Sequence, residues 1–166
     1  MARELSASVD PGALYVVSTP IGNLGDVTAR AAQILGAVDE ILAEDTRTTR
    51  VLLEHLGVRT PLRALHEHNE AAQSAGVVAR LQEGASIALV SDAGTPLVSD
   101  PGERLLRAVI DAGCRVVPVP GPSAVLAALA ASGLPAVPFS FFGFVPRRGR
   151  EREVFEAQLR DSAWTT

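Results

Sequence analysis

Ser91-Asp-Ala-Gly-Thr-Pro-Leu-Val-Ser-Asp-Pro-Gly102 lies between an apolar run and a helical pattern, and its reading decides the fold. The run leading into it, Ser86-Ile-Ala-Leu-Val90, has the length and composition of a buried strand. At its far end Asp100 is placed to cap a helix and Pro101 to fill the first turn. A loop of Gly, Ala, Thr and Pro at the carboxyl end of a strand leaves main-chain amides and carbonyls bare. A flat, polar small molecule can lie directly on such backbone, so the stretch is expected to seat a cofactor.

Similar strand-to-helix units recur on both sides. Strands are expected over 14–18, 38–43, 62–66, 86–91 and 115–119, and helices over 28–35, 46–56, 70–82, 101–112 and 122–132. Strands alternating with helices imply an α/β fold with a parallel sheet, covered on both faces by right-handed crossovers. Parallel strands end on one edge, where the loops Thr19-Pro-Ile-Gly-Asn-Leu-Gly-Asp26, 91–101 and Pro120-Gly-Pro-Ser123 would frame a crevice. Residues 1–133 are read as one amino-terminal α/β domain. Beyond them, 134–166 reads as a linker followed by the first strand and helix of a truncated second domain. The strand is expected over 139–145, which holds four of the five Phe residues, and the helix over 151–160. An aromatic strand with no neighbour suits a homodimer.

The 166 residues are 47% hydrophobic, enough for one sizeable core. No run approaches the length of a membrane span, and residues 1–6 lack the apolar centre of a secretion signal, so no membrane association and a cytoplasmic location are expected. All 15 basic residues are arginine, which removes Schiff-base chemistry, a Walker lysine and a lysine base. Residues 1–146 carry 10 Arg against 15 acids, net -5, whereas 147–166 carry 5 Arg against 4 acids, net +1. The chain as a whole is therefore not an electrostatic nucleic-acid binder, and the run Arg147-Arg148-Gly-Arg150-Glu-Arg152 reads first as a solvated linker or helix start, with a phosphate clamp second. Cys114 is read as a small buried apolar residue.

Gly22-Asn-Leu-Gly25 has too few glycines for a dinucleotide fingerprint, and Gly121-Pro-Ser-Ala-Val125 departs from the nucleophile-elbow pattern. Ser123 reads as a helix cap that can also touch a ligand. His66-Glu-His68 lacks a third ligand at metal spacing, so a polar surface loop is expected and no metal. In Ala43-Glu-Asp-Thr-Arg-Thr-Thr49, Asp45 is explained as a cap with Arg47 beside it, leaving Glu44 at the binding edge with no structural duty.

Five stretches together resemble the tetrapyrrole-methylase-like superfamily of S-adenosylmethionine-dependent methyltransferases. They are Tyr15-Val-Val-Ser-Thr-Pro-Ile-Gly-Asn-Leu-Gly-Asp26, Ala43-Glu-Asp-Thr-Arg47, Ser91 to Gly102, Val119-Pro-Gly-Pro-Ser-Ala124 and Phe142-Gly-Phe-Val-Pro-Arg147. The resemblance implies S-adenosyl-L-methionine in a cleft between two α/β domains, with this chain supplying the first. It places Gly94, Thr95, Pro96 and Val98 on the cofactor, Ser123 and Ala124 on its other side, and Pro20 and Gly22 closing over it. The first loop favours the RNA-modifying branch, which implies methylation of the 2′-hydroxyl of a cytidine in 16S rRNA of the 30S subunit. Glu44 or Asp92 is the expected base for that weak nucleophile. Asn23, Asp26, Asp45, Arg47, Arg147 and Arg148 are expected to contact substrate. A small-molecule methylase of the same fold and a non-catalytic ligand-binding module stand as alternatives.

Overall fold

The computed structural model describes residues 9–166, so the reading of residues 1–6 lies outside the described residues. Strands β1 (Ala13–Val17), β2 (Glu40–Ala43), β3 (Leu62–Ala64), β4 (Ile87–Val90) and β5 (Arg115–Val119) form one parallel sheet in the order β3-β2-β4-β1-β5. Helices α1 (Ala29–Ala37), α2 (Thr46–Leu56), α3 (Glu67–Gln82) and α4 (Glu103–Asp111) alternate with them. The expected α/β class is what forms.

Period-two alternation explains the layering. Leu14, Leu42, Ile87 and Leu89 face Val77 and Leu81 of α3 and Leu105 and Val109 of α4. Their sequence neighbours Tyr15, Val17, Ile41, Ala43, Ala88 and Val90 face the opposite side, against Ile34 and Leu35 of α1 and Leu52 and Leu53 of α2. Each face thus holds its own apolar core. Cys114 is half-buried at the edge of the α3/α4 core rather than sealed within it.

Local chemistry sets the helix starts. Thr28 Oγ1 accepts from Ala31 N at 3.0 Å, and the Asp45 carboxylate accepts from Arg47 N at 2.8 Å. The start of α4 departs from expectation. Asp100 does not cap it and Pro101 is not in its first turn; the helix begins at Glu103 after Gly102. The cap comes from α3, where the buried Glu70 carboxylate accepts from Leu105 N at 2.8 Å.

The chain leaves β1 toward β2 and leaves β4 toward β5, so two adjacent strands send their loops to opposite faces. Such a reversal point opens a crevice at the carboxyl edge.

The chain divides into two compact units, the first ending at Ser123 and the second spanning Ala124–Thr166. The boundary read at residue 133 falls inside the second unit, after α5 (Ala124–Ala131). Within that unit, α6 (Arg150–Asp161) is close to its expected span, but no strand forms over 139–145. Phe139 makes a single bridge to Thr165, and Phe142 meets Phe155 edge-on at 6.2 Å. An isolated aromatic segment has no ladder to join, so β-propensity alone does not shape it. Neither α5 nor α6 has a buried residue. Among the described residues no helix is long and apolar enough to cross a membrane.

Candidate functional site

The three loops expected to converge do so, through direct hydrogen bonds. Thr19 N donates to Gly94 O at 2.8 Å and Gly94 N returns to Thr19 O at 3.1 Å, which stitches the β1 loop to the β4 loop. Thr19 Oγ1 donates to Ser91 O at 3.1 Å. The Thr95 hydroxyl reaches Pro122 O at 3.4 Å and pairs with Ser18 Oγ at 3.0 Å, bringing in the β5 loop. A Cβ added at Gly121 would lie 2.9 Å from Ser18 Cβ, so only glycine permits this approach. The loops form one rim.

Its centre is the 94–102 segment, where Gly94, Leu97, Ser99 and Gly102 all adopt positive φ. For Leu97 and Ser99 that region is costly, and such strain concentrates where backbone is shaped for a ligand. Leu97 packs its side chain against the α3/α4 core, while the next residue, Val98, is exposed. Gly94 and Pro96 are buried, and Thr95 is half-buried. Among the other expected cofactor residues, Pro20 and Gly22 sit on the β1 loop, Ser123 ends the first unit, and Ala124 opens the second.

A cleft of about 380 Å³ opens beside the rim, between the β1 loop, the first turns of α2 and the start of the β4 loop. Pro20, Gly22, Asn23 and Asp92 line it, together with Thr48 and Thr49. Asn23 also caps a short 3-10 turn (Leu24–Asp26) by accepting from Gly25 N at 2.9 Å. Asp26 is exposed at the end of that turn and is not among the lining residues.

A second hollow of about 520 Å³ is lined by Glu44, His66, His68, Glu70 and Asp100. Burial first, then the charges of Asp92, Asp100 and Asp45, hold the Glu44 carboxyl above its ordinary range. Asp100 is likewise raised, by burial first, against the opposing effect of the nearby Ser91 hydroxyl. The two catalytic candidates therefore line different hollows, although the Asp92 charge acts on Glu44 across β2 and β4. Asp92 accepts from Asp45 N at 3.0 Å, which ties the two strand ends together. Asp45 is committed elsewhere: its bonds to Arg47, including an ion pair of 2.6 Å, hold it down to about 2. His66 and His68 meet edge-on at 5.9 Å, and no cluster able to hold a metal exists among the described residues. Arg147 and Arg148 are exposed in the turn before α6.

Sequence reasoning did not single out Ser18, Thr48, Thr49 or Glu70. Thr49 carried a readable signal, a polar residue at the head of the apolar stripe Thr49, Leu52, Leu53, Leu56. Glu70 carried none, because its partner lies 35 residues away.

The rim belongs to a recognisable group. The chain is 53% identical over 152 residues to a protein of Escherichia coli O157:H7 named ribosomal RNA small subunit methyltransferase I, covering 92% of this chain and 53% of that one. A protein of the same name from Mesorhizobium japonicum is 57% identical over 140 residues, covering 84% of this chain and 48% of its own. The chain thus spans about half the length of these relatives. The uroporphyrin-III-C-methyltransferase of Thermus thermophilus superposes with a TM-score of 0.57 at 28% identity, covering 75% of this chain and 53% of that one. A cobalamin biosynthetic enzyme, cobalt precorrin-4 methyltransferase, shares the fold with a TM-score of 0.59 at 17% identity, covering 81% and 54%. The family profile described as Tetrapyrrole (Corrin/Porphyrin) Methylases matches residues 13–163, and the chain belongs to that family.

Proposed function

We propose that this chain supplies the donor-binding half of an S-adenosylmethionine-dependent methyltransferase acting on the 2′-hydroxyl of a cytidine in 16S rRNA. The names of its relatives support RNA as the substrate. The observation that carries the reading is the stitched rim of three loops at the reversal point of a parallel sheet. The rim's positive-φ backbone, from Gly94 through Gly102, fits a donor held mainly by main chain.

When bound, the donor supplies an electrophilic methyl carbon on a sulfonium. Gly94, Thr95, Pro96 and Val98 would hold it, flanked by Pro20, Gly22 and Ser123. Fixing donor and acceptor on one rigid rim converts the encounter into an oriented one, and orientation is a large share of catalysis in such transfers. The ribose hydroxyl must lose its proton to a nearby carboxylate. The base is Glu44, whose surroundings raise its proton affinity, or Asp92, on the wall of the cleft beside the rim. Asn23, Asp26, Asp45 and Arg47 contact the acceptor strand, and Arg147 and Arg148 its phosphates. The exposed Phe141, Phe142 and Phe144 support assembly as a homodimer, acting in the cytoplasm on the 30S subunit.

Calorimetry of the chain with S-adenosylmethionine tests the rim: heat is expected for the natural chain and none for Gly94→Val. Mapping ribose methylation on 16S rRNA from cells lacking the protein tests the substrate. Loss of methylation at a single cytidine is expected, and an unchanged methylation map would refute the rRNA assignment.

A further inference from the structure

The cleft beside the rim contains a group that fold stability does not explain. Thr49 is 3% exposed and heads the core-facing stripe of α2, where Leu52 and Leu53 follow. Its Oγ1 has no hydrogen-bond partner. A mid-helix threonine usually turns its hydroxyl to the carbonyl four residues back. Here Asp45 O receives Thr49 N at 3.1 Å, and the hydroxyl makes no such bond. Burying an unpaired hydroxyl is unfavourable, and valine would fill the same volume without that cost. Thr49 also lines the cleft. A local rule broken at the wall of a hollow is the mark of a ligand group.

The cleft's chemistry narrows the ligand. Its volume of about 380 Å³ falls within the range of small-molecule sites. Leu24, Val51, Leu52 and Ala93 give it apolar walls that suit the faces of a flat ring. No arginine lines it and its one charged lining residue is Asp92, so a phosphate is disfavoured and a neutral heterocycle is favoured. Arg50 stands exposed on α2, outside the cleft, where a backbone phosphate could meet it. The cleft shares Thr19 with the rim, since Thr19 both lines it and pairs with Gly94. A base seated there would bring its own ribose toward Asp92 and the donor turn.

We propose that this cleft receives the pyrimidine base of the acceptor nucleotide, turned out of the RNA strand, with the Thr49 hydroxyl, which lies sealed from solvent at the cleft wall, rotating about its Cα–Cβ bond to meet the base's polar edge. This rests on the RNA-methylating reading above. Enzymes that act on one nucleotide in a strand recognise an everted base by stacking against its faces and bonding to its edge.

The test is an amide-resolved NMR titration of the chain with cytidine 5′-monophosphate, with inorganic phosphate as the control. Shifts are expected at Thr19, Asn23, Thr48, Thr49 and Asp92, and phosphate should not reproduce them. Thr49→Val should weaken cytidine 5′-monophosphate binding about tenfold while raising Tm by about 2–4 °C, because the unpaired hydroxyl is gone. Thr49→Ser should keep binding within about twofold. Both variants should bind S-adenosylmethionine as the natural chain does. Shifts confined to the Glu44 and His66 hollow, no shifts at all, or natural affinity in Thr49→Val would overturn the proposal. Shifts in the cleft without any binding of S-adenosylmethionine would uphold the base site and remove the methyl-transfer reading.

Discussion

Glu44 shows how a single side chain can be poised at the expense of stability. In the folded chain it keeps its proton to a higher pH than the ordinary value near 4.5, with burial and then Asp92 as the leading causes. The folded state therefore binds more protons than the unfolded state as pH rises above that value, and stability falls as the carboxylate becomes charged. Asp45 behaves oppositely, its bonds to Arg47 being present above 3.8 and lost as pH falls through about 2. Glu44→Gln is thus expected to raise Tm at pH 7.5, with the gain fading toward pH 4. Thermal scans across that range check it, and a gain independent of pH would mean that packing, not charge, was altered. Gly121 is the residue on which the rim closes. Gly121→Ala puts a methyl 2.9 Å from Ser18 Cβ, beside the Ser18 to Thr95 hydrogen bond. A loss of about 1–3 kcal/mol is expected in urea unfolding, together with weaker S-adenosylmethionine binding in calorimetry. The Gly-Pro pair at 121–122 is visible in the sequence as a turn, but that Ser18 presses against it is not. Close approach between two loops is a property of strand order, and β1 and β5 become neighbours only when the sheet assembles.

At the scale of elements, α4 depends on α3 for its beginning. Glu70 is 4% exposed, and its carboxylate takes the Leu105 amide into the apolar layer formed with Leu105 and Val109. Glu70→Ala strands that buried N–H and should cost about 1–3 kcal/mol. Glu70→Gln keeps an acceptor oxygen and should cost less, so urea midpoints of the two variants, at unchanged slope, separate capping from packing. This arrangement also explains what was legible beforehand. The five strands could be read because each is a short apolar run between turn residues, and α2 because Asp45 caps it two residues away. The start of α4 was misread because the local sequence offers Asp100 and Pro101 as a cap and first turn, while a carboxylate from another helix does the capping. The segment 139–145 was misread for the converse reason. Its aromatic composition favours a strand, but a strand requires a neighbour, and within the second unit Thr165 provides one bridge only.

Charge is the property that belongs to the molecule as a whole. The net charge is -4, and the carboxyl edge of the sheet carries Glu44, Asp45, Asp92 and Asp100, so the face that would meet an acceptor hydroxyl repels a phosphate backbone. On the rRNA-methylating reading proposed above, phosphate contacts must come from cations rather than from that edge. The run Arg147, Arg148 and Arg150 is exposed in the second unit and is the densest cationic stretch in the sequence. Each phosphate neutralised on a single strand releases counterions, which makes log K fall with log salt by about 0.7 per contact. Replacing all three arginines with serine should therefore flatten the salt dependence of binding to an rRNA oligonucleotide by about two in slope, while leaving the heat of S-adenosylmethionine binding unchanged. Fluorescence anisotropy between 50 and about 200 mM salt measures that slope, a range over which counterion release changes affinity strongly. An unaltered slope would move the phosphate contacts to other cations, such as Arg30, Arg50 and Arg59 of the first unit. The two outcomes separate physically, because each arginine that neutralises a phosphate adds its own share to the slope, whichever unit it belongs to.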